Sequence, residues 1–254
     1  MTEARKTAII TGAARRIGRA TALYLGEKGW DLILHYHKSS KDIRTLSDEL
    51  TKKGISAETI SADLSETSGI QKLTKSMTAH KAPPSLLINN ASIFQYDNWK
   101  TADETTLQEN MHLHLTAPLL LSQSFAKTLP KGEKGLIINM LDQRVWKPTP
   151  HFLSYSLSKS ALWSMTIMLA QALAPHIRVN AIGPGPALPS TRQSEADFQK
   201  TCQSLPLQCG TSPQEIAHAI QFLWQSPSLT GQMIALDGGQ HLAWQTPDIM
   251  KGRE

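Results

Sequence analysis

The chain has 254 residues, of which 40% are hydrophobic and 19% charged, so we expect one globular domain over residues 1–254. Its formal net charge is +5, but the Lys and Arg residues are scattered, which indicates a solvated surface rather than a nucleic-acid-binding stripe. No apolar stretch approaches the roughly 20 residues that cross a bilayer, and the N-terminus lacks the apolar core of a signal peptide. We therefore expect a cytoplasmic protein that contacts neither membrane nor nucleic acid.

Seven short apolar runs alternate with longer helical patterns and predict the strands of a sheet. They cover residues 7–10, 31–35, 56–60, 86–89, 136–140, 178–182 and 233–236. Alternation at this spacing predicts βαβ crossovers. The expected fold is therefore α/β, a single-domain Rossmann-type doubly wound sheet of about seven parallel strands with helices on both faces.

A glycine-containing turn joins the first strand to the first helix, over the residues Thr11-Gly12-Ala13-Ala14-Arg15-Arg16-Ile17-Gly18. Free backbone N–H groups and the helix dipole make such a turn a site for a dinucleotide pyrophosphate. We expect Gly12, Arg15, Arg16, Ile17 and Gly18 to bind the cofactor there. The Arg16 guanidinium can pair with a phosphate or reach the substrate, and a solvent-facing arginine is the alternative.

The end of the second strand indicates which cofactor is used. An NAD enzyme typically places an acid here to bind the ribose 2′-hydroxyl, but this chain reads His35, Tyr36, His37, Lys38 and Ser39. Cations and hydroxyl groups suit a 2′-phosphate instead, so we expect NADPH rather than NADH. A polar turn capped by serine would explain the serine but not the missing acid.

Polar residues also follow the third and fourth strands. Asp63 and Leu64 come after the third strand and are expected near the adenine, while Asn90 and Ala91 come after the fourth. Because parallel strands end at one edge of the sheet, these turns should approach the same cofactor. Ordinary turn chemistry is the alternative, since Asn and Ser favour turns in any case.

Two segments interrupt the alternation, at residues 94–103 and 186–211. Both are polar and placed after strands, where open α/β sheets bind ligands, and the second also contains prolines. We expect 186–211 to be a substrate loop, with an unremarkable surface excursion as the alternative. The loop holds both cysteines, Cys202 and Cys209, which are too few for a disulfide framework or metal cluster, so no metal is expected.

Tyr155 and Lys159 lie four residues apart at the start of a long apolar helix, so they share one helix face. We expect the ammonium to lower the pKa of Tyr155 toward neutrality, which would make the tyrosine a usable general acid. Asp142 stands thirteen positions before this tyrosine. A carboxylate there can hold an amino-heterocycle or relay a proton to a ring nitrogen, which a serine hydroxyl cannot do.

The order and spacing of these motifs resemble the short-chain dehydrogenases/reductases over nearly the whole chain. The matching motifs are the glycine turn, Asn89-Asn90-Ala91, Tyr155-Ser156-Leu157-Ser158-Lys159 and Gly183-Pro184-Gly185. The resemblance implies that Lys159 holds the nicotinamide ribose and that backbone groups of Gly183, Pro184 and Gly185 orient the nicotinamide ring. The chain departs from the family at Asp142, where a serine is usual, and at His114, where an asparagine is usual. A buried structural histidine would also explain His114.

Within that family the chain is most similar to the pteridine reductases and the bacterial dihydromonapterin reductases. The similarity lies in Arg16, residues 35–39, Asn90-Ala91-Ser92 followed by Phe94, and residues 139–142. It implies that Phe94 stacks a flat pterin against the nicotinamide, while Ser92 and Arg16 hydrogen-bond the ring or phosphates. The expected substrate-binding residues are Arg16, Ser92, Phe94, Asp142 and Tyr155. The expected catalytic residues are Asp142, Tyr155 and Lys159.

The reaction this predicts is hydride transfer from NADPH to C6 of a 7,8-dihydropterin, with N5 protonated through Tyr155 and Asp142. Dihydromonapterin, dihydrobiopterin and dihydrofolate all remain candidate substrates. A carbonyl or 3-oxoacyl thioester reductase is the main alternative, and a non-catalytic NADP(H)-binding regulatory protein is a second. The family resemblance further implies a homotetramer.

Overall fold

Residues 6–80, 82–190 and 193–244 are described by the computed structural model, and seven of their segments form one parallel sheet in the order β3-β2-β1-β4-β5-β6-β7. The strands are β1 (Thr7–Ile10), β2 (Asp31–Tyr36), β3 (Ala57–Ser61), β4 (Pro84–Asn89), β5 (Gly135–Met140), β6 (Ile177–Pro184) and β7 (Met233–Leu236). The predicted fold class is confirmed, and the predicted strand ends differ from the observed ones by two residues at most.

Eight α-helices surround this sheet in the described part of the chain. They are α1 (Arg16–Glu27), α2 (Ser40–Lys52), α3 (Thr67–Ala79), α4 (Glu104–Met111), α5 (Ala117–Thr128), α6 (Leu153–Leu173), α7 (Glu195–Gln203) and α8 (Pro213–Gln225). A π-helical turn, His112–Thr116, joins α4 to α5. None of the helices formed by the described residues has both the length and the apolar character needed to span a bilayer.

The sheet is covered on both faces because side chains alternate along each strand. Ala8 and Ile10 of β1 belong to a core that also contains buried residues of α1, α2 and α8. Ile9, between them, belongs to the opposite core, with buried residues of α3 and α5. This arrangement is the doubly wound sheet that the sequence predicts.

The sheet's strand order brings the functional segments together. The chain leaves β3 at one edge of the sheet and returns as β4 beside β1, so β1 and β4 flank the switch point at which doubly wound sheets open a ligand crevice. The glycine turn follows β1, and Asn90 follows β4. Asp142 follows β5 and Gly185 follows β6, so all four segments lie at the carboxyl edge of adjacent strands.

The segment 186–211 is more ordered than the sequence suggests, because it contains α7. Ser194 precedes this helix, and its hydroxyl accepts a hydrogen bond from the backbone N–H of Asp197 at 3.1 Å. A serine followed three residues later by an acid is a helix-start signal. The same signal lies in the sequence, but the prolines and polar residues around it favour an irregular segment.

Candidate active site

The glycine turn is tied to the end of β4 by a compact set of hydrogen bonds. The Thr11 hydroxyl accepts from the backbone N–H groups of Asn90 and Ala91 at 2.8 and 2.9 Å. The Asn90 side-chain amide donates back to the Thr11 carbonyl at 2.8 Å. These bonds join the two predicted cofactor segments into one unit.

Two glycines of this turn occupy places that no other residue fits. Gly12 has φ +65°, a left-handed conformation, and a Cβ there would lie 3.0 Å from Cα of Ala91. A Cβ on Gly18 would lie 2.2 Å from the Gly12 carbonyl oxygen. The turn is therefore built from backbone packed against backbone, as close approach to a pyrophosphate requires.

His35, predicted to bind cofactor, is buried behind the turn instead of facing the crevice. Its Nδ1 accepts from the Gly12 N–H at 3.1 Å, and its Nε2 donates to the Ala62 carbonyl at 2.9 Å. Burial lowers the pKa of His35 to about 4, so the ring is neutral at physiological pH. The side chain supports the shape of the turn by bonding to it and to Ala62, the residue after β3.

The other residues predicted to bind the cofactor near the end of β2 include both exposed and buried side chains. His37 and Lys38 are exposed, and Nε2 of His37 lies 3.2 Å from Oδ2 of Asp63. Arg15 pairs with Asp42 at 2.6 Å on the first turn of α2. The Leu64 side chain, in contrast, is buried in the core with residues of α3, so only its backbone could contact an adenine.

The predicted catalytic residues meet at the carboxyl end of β5. The Tyr155 hydroxyl donates to Oδ2 of Asp142 at 3.0 Å, and both side chains are buried. Lys159 donates to the Met140 carbonyl at 2.7 Å, and its Nζ lies 5.7 Å from the centroid of the Tyr155 ring. The structure thus brings Asp142, Tyr155 and Lys159 into one cluster.

The expected lowering of the Tyr155 pKa is wrong for this structure. Burial raises the pKa of Tyr155 well above its usual value, and the neighbouring Asp142 carboxylate raises it further because tyrosinate would be a second anion. Burial also lowers the pKa of Lys159 to about 8, although Asp142 opposes that change. Tyr155 is therefore held as the neutral phenol, which is the form that donates a proton.

A fourth polar residue, Arg144, joins the cluster and was not predicted from the sequence. The backbone N–H of Arg144 donates to Oδ1 of Asp142 at 2.9 Å, and its Nη1 donates to Oδ2 at 3.0 Å. The available signal was an arginine two residues after the carboxylate, because an aspartate commonly accepts from the N–H two residues on. Arg144 therefore anchors the carboxylate that contacts Tyr155.

Aromatic rings form one wall of the crevice. Phe94 and Phe152 stack with centroids 4.2 Å apart and planes inclined by only 7°. The edge of Tyr155 meets Phe94 at 4.8 Å and 77°. Phe152 was also not predicted from the sequence. Its φ is +57°, and its backbone N–H donates to the Asp97 carbonyl at 2.8 Å. No sequence pattern predicts a phenylalanine in this left-handed conformation.

A cavity of about 420 Å³ lies above this cluster. Asp142, Tyr155, Phe94 and Ser92 line it on the sheet side, and Leu188, Gln193 and Phe198 belong to the segment 186–211 on the other side. Arg16 connects the two sides, because its guanidinium donates to the carbonyls of Leu188 and Pro189 at 3.2 and 2.8 Å. The predicted loop thus borders the same cavity as the predicted catalytic residues.

The turn after β6 closes the cavity next to Tyr155 and Lys159. Pro184 and Gly185 line the cavity, whereas Gly183 packs against β7, where an added Cβ would lie 2.8 Å from Sδ of Met233. A Cβ on Gly185 would lie 2.7 Å from Cα of Asp237. The two glycines therefore let this turn approach β7 and the segment after it.

His114 is fully buried in the π-helical turn and has hydrogen-bond partners on both ring nitrogens. Nε2 accepts from the Ile93 N–H at 3.2 Å and lies 2.9 Å from the Ser92 hydroxyl. Nδ1 donates to the Ser158 hydroxyl at 2.8 Å, and that hydroxyl donates to the Tyr155 carbonyl. Burial, with Lys159 second, lowers the pKa of His114 well below its usual value. The neutral ring connects the Ser92 segment to the helix that carries Tyr155.

The described residues contain no group of three or more His, Cys, Asp or Glu side chains that could hold a metal ion. Both cysteines are free thiols, Cys202 buried and Cys209 exposed.

A doubly wound sheet with a glycine turn, and with a buried Tyr–Lys pair in the adjoining crevice, defines an oxidoreductase of the nucleotide-binding α/β class. The sequence profile described as short chain dehydrogenase matches residues 6–200. The chain therefore belongs to the short-chain dehydrogenase family, and the predictions of this family and of an oxidoreductase are confirmed.

Three similar proteins illustrate the activities named among the relatives of this chain. The crystal structure of FolM alternative dihydrofolate reductase 1 from Brucella canis, complexed with NADP, has a TM-score of 0.92 and 43% identity, covering 96% of this chain and 97% of that one. A dihydromonapterin reductase of Klebsiella pneumoniae is 30% identical over 237 residues, 92% of this chain and 96% of that protein. A 3-oxoacyl-acyl-carrier-protein reductase of Synechocystis is 28% identical over 238 residues, with 92% and 96% covered.

Proposed function

We propose that the protein reduces a 7,8-dihydropterin to its tetrahydro form with NADPH. The observation that carries this proposal is the Asp142 carboxylate, hydrogen-bonded to the proton donor Tyr155 beside a wall of stacked rings. A flat nitrogen heterocycle needs an aromatic surface and an acceptor for its N–H groups, and this cavity offers both. The names of the Brucella and Klebsiella relatives support the same substrate class.

The residues at the carboxyl edge of the sheet fit NADPH. Gly12 and Gly18 lack side chains and let the turn pack tightly, which leaves its backbone N–H groups available to a pyrophosphate. His37 and Lys38 are exposed at the end of β2, where an NAD enzyme would carry an acid, and they suit a 2′-phosphate. The complex of the Brucella relative with NADP supports this choice.

We assign the cofactor-contacting roles within that edge as follows. Arg15, Arg16 and Ile17 border the phosphates, and Asn90 and Ala91 lie beside them. Lys159 holds the nicotinamide ribose, and Pro184 and Gly185 border the ring. His35 acts indirectly, through the Gly12 N–H that it fixes. A reduced nicotinamide supplies the hydride, and the residues of this chain supply the proton and the orientation.

Tyr155 is the proton donor in this proposal. Its hydroxyl gives a proton to N5 of the dihydropterin as C6 receives the hydride, and water restores the proton afterwards. Asp142 orients the phenol through the 3.0 Å hydrogen bond and offers its carboxylate to polar groups of the heterocycle. Phe94, Ser92 and Arg16 complete the substrate side of the cavity.

An ordinary carbonyl reductase is the competing function, and the Synechocystis relative is named for such an activity. A carbonyl reductase would also use Tyr155 and Lys159, but a ketone or thioester has no N–H group that could donate a hydrogen bond to the Asp142 carboxylate. A pterin, in contrast, provides such groups. Asp142 thus favours the heterocycle over the ketone.

The test is an NADPH-oxidation screen over dihydropterins, dihydrofolate, quinonoid dihydropterin, ketones and an acetoacetyl thioester. We expect dihydropterins to be turned over with the highest kcat/KM. Good reduction of the thioester with none of the dihydropterins would overturn the proposed substrate. In the same screen Asp142→Ser should lower kcat/KM for the dihydropterin by ~10–100-fold and leave the NADPH Kd within ~3-fold.

The homotetramer and the cytoplasmic location stay predictions. Exposed apolar side chains on α6, such as Leu157 and Met168, are of the kind that an interface between copies of this chain would cover. Light scattering of the purified protein would measure the assembly state directly.

A further inference from the structure

Arg144 shares one carboxylate oxygen with the proton donor. It lies in the 3₁₀ turn Gln143–Val145 directly after Asp142, and its Nη1 donates to Oδ2 at 3.0 Å. The Tyr155 hydroxyl donates to the same Oδ2, also at 3.0 Å. The Arg144 backbone N–H holds the other oxygen, Oδ1, at 2.9 Å. The carboxylate is therefore fixed at both oxygens, and Oδ2, the oxygen that contacts Tyr155, accepts two hydrogen bonds.

A carboxylate beside a proton-donating phenol creates an electrostatic problem. Once Tyr155 gives up its proton, the tyrosinate lies against an anion in a buried site where charge interactions are strong. The Asp142 charge indeed raises the pKa of Tyr155, whereas the Arg144 charge lowers it. With Lys159, Arg144 provides two cations for the two anions, so the cluster is neutral after proton donation.

The guanidinium is also held in place by the aromatic wall. Its central carbon lies 5.4 Å from the Phe94 centroid and 5.3 Å from the Phe152 centroid, so it bridges the stacked pair instead of covering one ring. The side chain is mostly buried, with 22% of its surface exposed. The charge of Arg144 is therefore held at Asp142.

We propose that Arg144 is a positioning residue whose charge makes an aspartate at position 142 compatible with proton donation by Tyr155. The exchange of the usual serine for Asp142 and the presence of Arg144 two residues later form one functional unit. The proposal rests on the proposed function for its preferred substrate, but the donation by Tyr155 that it describes applies to any substrate the enzyme reduces. Among the described residues, Lys159 and the neutral His114 also contact Tyr155, and the Arg16 guanidinium lines the same cavity.

The decisive experiment is a double-mutant cycle of Arg144→Gln and Asp142→Ser, measured as kcat on the best dihydropterin at saturating NADPH. In the native background Arg144→Gln should lower kcat by ~10–100-fold with KM changed less than ~3-fold, and raise the solvent deuterium isotope effect. In the Asp142→Ser background the same change should alter kcat less than ~3-fold. Equal losses in both backgrounds would overturn the proposal, because Arg144 would then act independently of Asp142.

Two control variants separate charge from folding. Lys147→Gln removes a cation three residues further on, whose Nζ donates to the Ala243 carbonyl, and it should leave kcat within ~2-fold. Arg144→Lys keeps the charge but loses the fork geometry, so it should recover part of the kcat lost in Arg144→Gln. No recovery with lysine, together with a lowered melting temperature in both Arg144 variants, would show a purely structural role and overturn the proposal.

The outcome can be distinguished from failure of the proposed function. If the protein reduces ketones but not dihydropterins, the substrate proposal fails, and the same cycle on the accepted ketone still decides the role of Arg144. The ketone oxygen would receive its proton from Tyr155, so the background-dependent loss should persist. If no substrate of the screen is reduced by the native protein, both proposals are overturned.

Discussion

The glycine turn and the Asp142 cluster lie at the same edge of the sheet but are built in different ways. At the turn, backbone groups are locked by Thr11, Asn90 and the neutral His35, and the ion pairs nearby are on the surface. At the cluster, the buried side chains of Asp142, Tyr155 and Lys159 carry or can acquire charge. Shape thus determines what the first region does, whereas charge determines what the second does.

The two regions should therefore respond to opposite kinds of change. An added carbon atom is the most damaging change at the turn, because no space is available beside the backbone. The removal of one proton or one charge is the most damaging change at the cluster, because its side chains border the open cavity and act through their charges and protons. The predictions below test this contrast.

Tyr155→Phe should have the largest effect. It removes the donor hydroxyl but keeps the ring against Phe94, so kcat for dihydropterin reduction should fall by ~10²–10⁴-fold, while the NADPH Kd changes less than ~3-fold. Steady-state kinetics and a fluorescence titration with NADPH measure the two quantities. Tyr24→Phe is the matched control, since Tyr24 packs on His218 away from the cavity. An unchanged kcat in Tyr155→Phe would exclude this proton donor.

Gly12→Ala should weaken NADPH binding and leave the proton donor in place, which is the reverse of Tyr155→Phe. A non-glycine residue at φ +65° is strained by about 1–2 kcal/mol, and its Cβ would press on Ala91, so we expect NADPH affinity to fall by ~10–100-fold. Gly29→Ala is the matched control, because Gly29 has φ +86° but no atom within 4 Å of the added Cβ. It should lower the melting temperature without changing the NADPH Kd. Equal NADPH affinity in both variants would contradict a shape-determined turn.

The fold and the glycine turn could be predicted from the sequence because their signals are local. Buried parallel strands need apolar runs, and their seven runs match β1 to β7. The turn requires glycine at fixed places after the first strand. Tyr155 and Lys159 could also be placed together, because a four-residue separation brings two side chains onto one helix face.

The rest of the site depends on contacts between distant segments. Phe152 meets Phe94 only because Asp97 holds the start of α6, and nothing in the local sequence specifies this contact. The direction of the Tyr155 pKa was predicted wrongly because one helix neighbour, Lys159, was considered without burial and without Asp142. A histidine is chemically able to bind a phosphate, yet the position of His35 in β2 directs its ring to the Ala62 carbonyl, just after β3.

The smallest predicted effect concerns His35 and the pH dependence of stability. Its folded pKa, about 4, lies below the ordinary value of 6.5, so between these values the unfolded chain binds more protons and stability falls as the pH is lowered. From pH 6.5 to 5.5 this residue should remove about 1 kcal/mol of unfolding free energy. His114, whose pKa is also lowered, acts in the same direction.

His35→Asn isolates this contribution, because an asparagine can both accept and donate a hydrogen bond but does not titrate. In urea unfolding at pH 5.5 and 6.5, the variant should lose about 1 kcal/mol less than the native protein over this interval, whatever its stability at neutral pH. Identical pH dependence in both proteins would mean that His35 is not held neutral. The turn would then be supported by a cation, and the contrast between a shape-determined and a charge-determined region would no longer hold.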